Sequence, residues 1–308
     1  MYNFQLKTPV VFIIFNRPET TEKVFNEIAR AQPPQLFVIA DGPRKDNISD
    51  SIKCAAAREI INRVDWECEV FTNYSEVNMG CKLRISSGLD WVFENVNEAI
   101  ILEDDCLPHP DFFKYCEELL DFYREDNRIM HIGGNNFLCA RESLEYSYYF
   151  SAYSHVWGWA TWKRAWKYYD VNMESWPYVR KHNYLSVFFP NKIEYQNRIK
   201  IWNSVYEGEI DTWDYQWMFA ILSQGGFSIL PKNNLISNIG FGNEATHTKI
   251  EDKFHSNLEV ENIQFPLIHP SFVMRDLFSD LNYTKISDAG KSKFNKLVHF
   301  LAKNILNY

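Results

Sequence analysis

In the stretch AIILEDDCLPHP, Glu103, Asp104 and Asp105 follow four apolar residues with nothing between them. Adjacent carboxylates repel, so the run needs a reason. An acid can cap the helix expected from about Asp111, or the three can form a solvated turn. They can also hold a divalent cation, which takes oxygen ligands and removes the repulsion. Mg2+ or Mn2+ uses one or two carboxylates and fills its other positions with water and substrate phosphates, so a cation here implies a nucleotide diphosphate. Other chemically able residues are Asn16 and Arg17 in FNRP, Asp41 in ADGP, and Lys82 and Arg84 after NMG. Asp211 and Asp214 in EIDTWDYQW and His247 in NIGFGNEATHT complete the set.

The elements around them should bring most of these groups together. PVVFIIF (Pro9–Phe15) is a fully apolar, β-branched and aromatic run, the mark of a strand buried on both faces. In the next segment Pro18 suits a first helical turn, and Val24, Phe25, Ile28 and Ala29 fall at helical spacing. LFVIADGP is a second buried strand, Ile52–Val64 a helix, ECEVFT a third strand and LRISSGLDWVFENV a helix that leads to AIIL. Strands alternating with helices predict an α/β fold, a mostly parallel sheet flanked by helices. Ligands of such sheets bind beyond the carboxyl ends of the strands. Arg17, Asp41 and the acidic triplet all follow strands, so they should meet at that edge. Only the cation accounts for three acids arriving there together.

Composition narrows the class. The 308 residues are 46% hydrophobic and 16% aromatic, ample for a large core and rich in rings that suit sugar faces. The net charge of −8 speaks against a nucleic-acid partner. Six cysteines form no CxxC pair, which favours reduced thiols. The start, MYNFQLKTPVVFIIFNRPE, lacks a basic region followed by a long apolar stretch, and no run approaches the roughly 18 apolar residues of a span. A soluble, cytoplasmic protein is expected. The last segment, KISDAGKSKFNKLVHFLAKNILNY, places Phe294, Leu297, Val298, Leu301 and Ile305 on one stripe of a basic amphipathic helix. Its plain role is a terminal helix docked on the domain; its sharper one is contact with anionic lipid at the inner face of a membrane.

There is no GxxxxGK[ST] loop and no GxGxxG fingerprint, which excludes P-loop and dinucleotide-binding enzymes. The ordered set FNRP, ADGPR, NMGCKLRISSGLDWVF, EDD, WGWATW and NIGFG…TH resembles the nucleotide-sugar glycosyltransferases of the GT-A fold. In particular it is similar to bacterial members related to N-acetylglucosaminyltransferase I. The resemblance covers roughly the first 250 residues.

That resemblance implies Mn2+ or Mg2+ as cofactor and a UDP-sugar as donor substrate. Asp105 would ligate the metal, with His247 completing its site or touching the diphosphate. Glu103 and Asp104 would lie near the ribose and donor sugar. Asp41 matches a uracil-binding acid, although an aspartate in ADGP also suits a plain turn. Arg17 would meet base or phosphate, with a surface salt bridge as the alternative. Lys82 and Arg84 start a helix, where cations are unfavourable unless an anion sits there too, so a diphosphate contact is favoured over solvated charge. Inverting transfer needs a base for the acceptor hydroxyl; Asp214 is the first choice and Asp211 the reserve. Trp157, Trp159 and Trp162 would shape a sugar platform, with at least one in the core.

The expected organisation is a GT-A domain over 1–250, with a nucleotide-binding half at 1–130 and an acceptor half at 131–250. Residues 251–308 would form a C-terminal extension. The expected activity is metal-dependent inverting transfer from a UDP-sugar to a hydroxyl of a glycan or lipid-linked glycan. The alternatives are a sugar-phosphate nucleotidyltransferase, against which the missing glycine-rich loop counts, and a non-catalytic carbohydrate-binding protein.

Overall fold

Val10–Ile14 (β1) is buried at all five positions, and the chain leaves this strand straight into α1 (Pro18–Ala31), with Pro18 in its first turn. In the computed structural model, which describes residues 4–138, 144–240 and 258–286, the alternation continues as the sequence predicts. It runs through β2 (Gln35–Ala40), α2 (Ile48–Glu59), β3 (Glu69–Tyr74), α3 (Gly80–Asn95) and β4 (Glu98–Glu103). A short β5 (Cys106–Pro108) and α4 (Asp111–Phe122) follow, then β6 (Ile129–Gly133), β7 (Tyr148–Ser151) and β8 (Trp159–Trp162). The remainder comprises α5 (Lys163–Trp166), α6 (Trp176–Lys181), α7 (Lys192–Tyr206), α8 (Asp214–Ser223), β9 (Phe227–Pro231) and β10 (Ile236–Asn238).

Eight strands form one sheet in the order β3-β2-β1-β4-β8-β6-β9-β7, while β10 and β5 pair as a separate antiparallel ribbon. The first four strands are mutually parallel, and β6 with β9 makes a fourth parallel pairing. Antiparallel β8 enters between β4 and β6, and antiparallel β7 closes the far edge. The fold is therefore mixed α/β. Helices cover both faces: Phe12, Ile14 and Leu102 join α1 and α4 on one side, and Val11, Ile13 and Ile101 join α3 and α8 on the other.

This period of two decides the tryptophans of WGWATW. Trp159 and Trp162 sit three apart on β8, so they enter opposite core layers, 0% and 2% exposed. The sugar-platform role is corrected for these two: both are packing residues. Trp157, before the strand, stays partly buried and faces a cavity.

The described part of the C-terminal region is anchored to the sheet. Ile263 and Leu267 enter the core, and Tyr148 Oη lies 2.9 Å from His269 Nδ1. Within a helix over residues 277–286, Asp280 accepts from Ser151 Oγ at 2.5 Å and from Ala152 N at 3.1 Å. The amphipathic stripe from Phe294 to Ile305 lies outside the described residues. No helix among the described residues is long and apolar enough to cross a membrane.

Candidate functional site

The register carries the acids out of the core. Ile13 of β1 pairs with Glu103, so Asp104 and Asp105 project beyond the last paired residue of β1. There they meet Arg17, which follows the same edge of the sheet. Arg17 donates from Nη1 to Asp105 Oδ2 at 2.8 Å and from Nη2 to Asp104 Oδ1. Asp104 Oδ2 also accepts from the Phe15 N–H at 3.2 Å, and Asp105 Oδ1 lies 3.5 Å from Cys106 Sγ. Burial disfavours the charge on Arg17, but the two carboxylates outweigh it and hold the guanidinium firmly protonated. Arg17 is thus a resident cation, paired with the acids rather than left at the surface.

Gly240 closes this knot. Ile239 N donates to the Asp105 carbonyl at 2.8 Å, which lays the chain over the acid. A Cβ at Gly240 would stand 2.2 Å from Asp105 Oδ2 and 2.7 Å from Arg17 Nη1, so only glycine lets the backbone approach so closely. His247, the second implied metal ligand, lies outside the described residues. Asp105 is already engaged by Arg17, and among the described residues no three His, Cys, Asp or Glu side chains converge as a cation site.

Asp41 closes the end of β2 as a latch. Its Oδ1 accepts from Gly42 N at 2.8 Å and Met79 N at 2.9 Å, and its Oδ2 from Asn78 Nδ2 at 2.9 Å and Gly80 N at 3.1 Å. A carboxylate offers about four lone-pair positions, so all are filled from within the protein. Burial raises its pKa, against these backbone donors. These contacts are those of the turn aspartate read from ADGP.

The two cations after NMG part company. Arg84 turns inward, donating from Nη2 to both the carbonyl and Oδ1 of Asn73 at 2.8 Å, and burial lowers its pKa. These bonds tie α3 to β3. Lys82 remains at the first turn of α3, partly exposed. Asp211 is exposed and its Oδ2 abuts Gly80, whose φ of +79° and empty Cβ position (2.9 Å away) admit it. An acid beside a helix N-terminus is favourable, so Asp211 marks that end of α3 as an anion position.

Asp214 starts α8 and accepts from Thr212 Oγ1. It lines a cavity of about 200 Å3 whose walls include the rings of Phe137, Tyr153, Trp157, Tyr215 and Tyr283. Arg198 of α7 also faces this cavity, its guanidinium 5.0 Å from the Tyr153 ring centre. Cys81 links the two halves of the site. Burial and then the charges of Glu103, Asp214, Asp211 and Asp41 push its thiol pKa up, so it stays protonated. A larger cavity of about 840 Å3 lies between α2 and the edge strand β3, but it contains none of the predicted site residues.

Sequence reasoning missed Arg198, Tyr283, Asn78 and Asp50. Asp50 is fully buried, accepting from Asn16 Nδ2 at 2.8 Å and Arg44 Nε at 2.5 Å. The strand rule could have reached Asp50 through Asn16; nothing local marks Arg198 or Tyr283.

The acids predict a pH response. Burial first, then the charges of Asp105 and Asp104, push Glu103 up to about 8 despite Arg17. Between its ordinary value of 4.5 and about 8, the folded protein keeps a proton that the unfolded chain has lost, so stability falls as pH rises through that window. Buried His131 works the other way below its ordinary 6.5, since burial holds it near 3. From 6.5 to 8 the Glu103 effect stands alone between these two. Denaturant unfolding should lose stability over this interval, and Glu103→Gln should flatten the slope. An unchanged slope in the variant would place the titration elsewhere.

No protein-family model and no curated protein matches this chain. Among solved structures it is similar to UDP-glucose pyrophosphorylase complexed with UDP-glucose, at 11% identity and TM-score 0.39, covering 73% of this chain and 90% of that one. It is also similar to galactosyltransferase LgtC with donor and acceptor sugar analogues, at 11% identity and TM-score 0.38 over 92% and 96% of the two chains. The inositol-1-phosphate CTP transferase from T. maritima matches at 9% identity and TM-score 0.41, over 82% and 95%. Likeness at these levels assigns no activity.

Proposed function

We propose that the protein is an inverting glycosyltransferase of GT-A type that moves a sugar from a UDP-sugar to a hydroxyl of a glycan. The observation that carries this reading is one juxtaposition. A ring-lined cavity has a carboxylate in its wall, Asp214, and that carboxylate lies near enough to Glu103 of the acidic strand end for its charge to act there. Asp214 takes the proton of the acceptor hydroxyl as that oxygen attacks the sugar's anomeric carbon. The carbon–oxygen bond to the diphosphate breaks, and the electron pair leaves with UDP. Lys82 and the N-terminus of α3 supply positive charge for the departing phosphates. Asp214 is preferred to Asp211 because it faces the rings, whereas Asp211 is exposed against Gly80.

The test is thermal unfolding with UDP, CDP, GDP and UTP, each with and without Mn2+. A ligand at 100 times its Kd adds about 2.7 kcal/mol. UDP is expected to raise Tm more than CDP or GDP. A UDP shift that requires Mn2+ assigns the cation to the site, whereas one that does not leaves Lys82 and the α3 N-terminus to hold the diphosphate. No shift with any nucleotide would sink the transferase reading and favour a carbohydrate-binding protein.

A further inference from the structure

The cavity beside Asp214 is built from three distant parts of the chain. Phe137 and Trp157 meet edge to face with centroids 5.1 Å apart, and Phe137 stacks on Tyr283 at 5.7 Å. Tyr283 also meets Tyr153 at 4.8 Å, edge to face. Tyr283 belongs to the helix over residues 277–286. That helix is pinned by Asp280, which accepts from Ser151 Oγ, Ala152 N and Arg275 Nε. A ring from the C-terminal region is therefore fixed in the wall that faces Asp214.

Two polar groups complement the rings. Arg198 presents a guanidinium, whose planar set of donors suits neighbouring oxygens. Ser154 Oγ is buried, lines the cavity and has no hydrogen-bond partner among the described residues. An unpartnered buried hydroxyl carries a cost that a ligand oxygen would remove. Apolar rings with a few convergent polar groups match a sugar, which has C–H faces and a rim of hydroxyls. Size then limits how much of a glycan enters. At about 200 Å3 the cavity is smaller than the roughly 300–1,000 Å3 of pockets that hold drug-sized ligands. That is room for one sugar ring, with the rest of a glycan outside.

We propose that this cavity is the acceptor subsite, that it takes the single terminal sugar ring of a glycan with one hydroxyl towards Asp214, and that Tyr283 is a specificity-determining wall of it. The inference rests on the transferase reading. It makes the C-terminal region part of the acceptor site, and the enzyme one that extends chain ends.

The experiment is binding to the full chain, with UDP present, by calorimetry and saturation-transfer NMR. The probes are methyl glycosides of the common hexoses and N-acetylhexosamines, then the di- and tetrasaccharides ending in the tightest of them. The monosaccharide glycoside should bind within about twofold of its oligosaccharides, because one ring fills the site. Tyr283→Ala should weaken it about tenfold or more, Tyr283→Phe by less than about twofold, and neither should alter UDP affinity. The chain-length comparison needs no variant, so it holds even where Tyr283→Ala folds poorly. Affinity climbing about tenfold with length, Tyr283→Ala binding like wild type, or no sugar binding while UDP binds would each overturn the proposal. Competition between sugar and UDP would overturn it too, by placing the ring in the donor cleft. Loss of UDP binding itself counts against the transferase reading instead, so the two failures are distinct.

Discussion

Asp214→Asn is expected to slow sugar transfer by roughly 10²–10⁴-fold, the range a positioned general base contributes, while UDP affinity stays within about twofold. The amide keeps the shape and can still accept from Thr212 Oγ1, but it cannot take the proton of an attacking hydroxyl. The loss should therefore fall on kcat, with KM for the donor little changed. Asp211→Asn is the informative control. Asp211 is exposed and abuts Gly80 at the start of α3, where it competes with an anionic donor, so neutralising it should not weaken donor binding and should leave the chemical step little changed. A reversed pattern, with kcat collapsing only in Asp211→Asn, would move the base to Asp211.

Arg17→Ala should be the most destabilising single change at the cleft, at roughly 3–5 kcal/mol near pH 8, because it strips the partner from a buried pair. The side chains of Asp104 and Asp105 are only 3% and 16% exposed, so water cannot replace the guanidinium. Asp104 is pushed up to about 6, by burial first and against Arg17. Without Arg17 its proton is held to still higher pH, so the penalty should shrink as the carboxylate protonates on acidification. Denaturant unfolding of Arg17→Ala and the Arg17→Ala/Asp104→Asn double variant, at about pH 5 and about pH 8, checks this. The double variant should recover part of the stability at pH 8. A loss equal at both pH values, and not relieved in the double variant, would mean that Arg17 matters for packing rather than for charge.

Much of the first half was legible in the sequence because its signals are local. An unbroken apolar run such as Val10–Ile14 can only be buried on both faces, and Pro18 can only open a helix. Strands joined by helices must then run parallel, which sends Arg17, Asp41 and the acidic triplet to one edge. The second half was harder to read. Antiparallel β8 enters between β4 and β6 from a stretch whose tryptophans look like a surface platform, and only pairing with β4 sends Trp159 and Trp162 into the core.

Individual roles were the least legible, since a role depends on what occupies a side chain's hydrogen-bonding positions. Arg84 and Lys82 are two residues apart at the same helix start, yet one ties down Asn73 and the other stays partly exposed. Asp41 reads equally well as a turn residue or a base reader until four donors are found around it. The sequence by itself determined that a parallel α/β core would deliver acids and an arginine to one sheet edge, because periodicity and strand polarity are properties of neighbouring residues. Only the tertiary structure decided that Arg17 clasps Asp104 and Asp105, that Gly240 closes over them, and that Tyr283 and Arg198 face Asp214. Those contacts join segments up to tens or hundreds of residues apart, and no local spacing encodes which of them will meet.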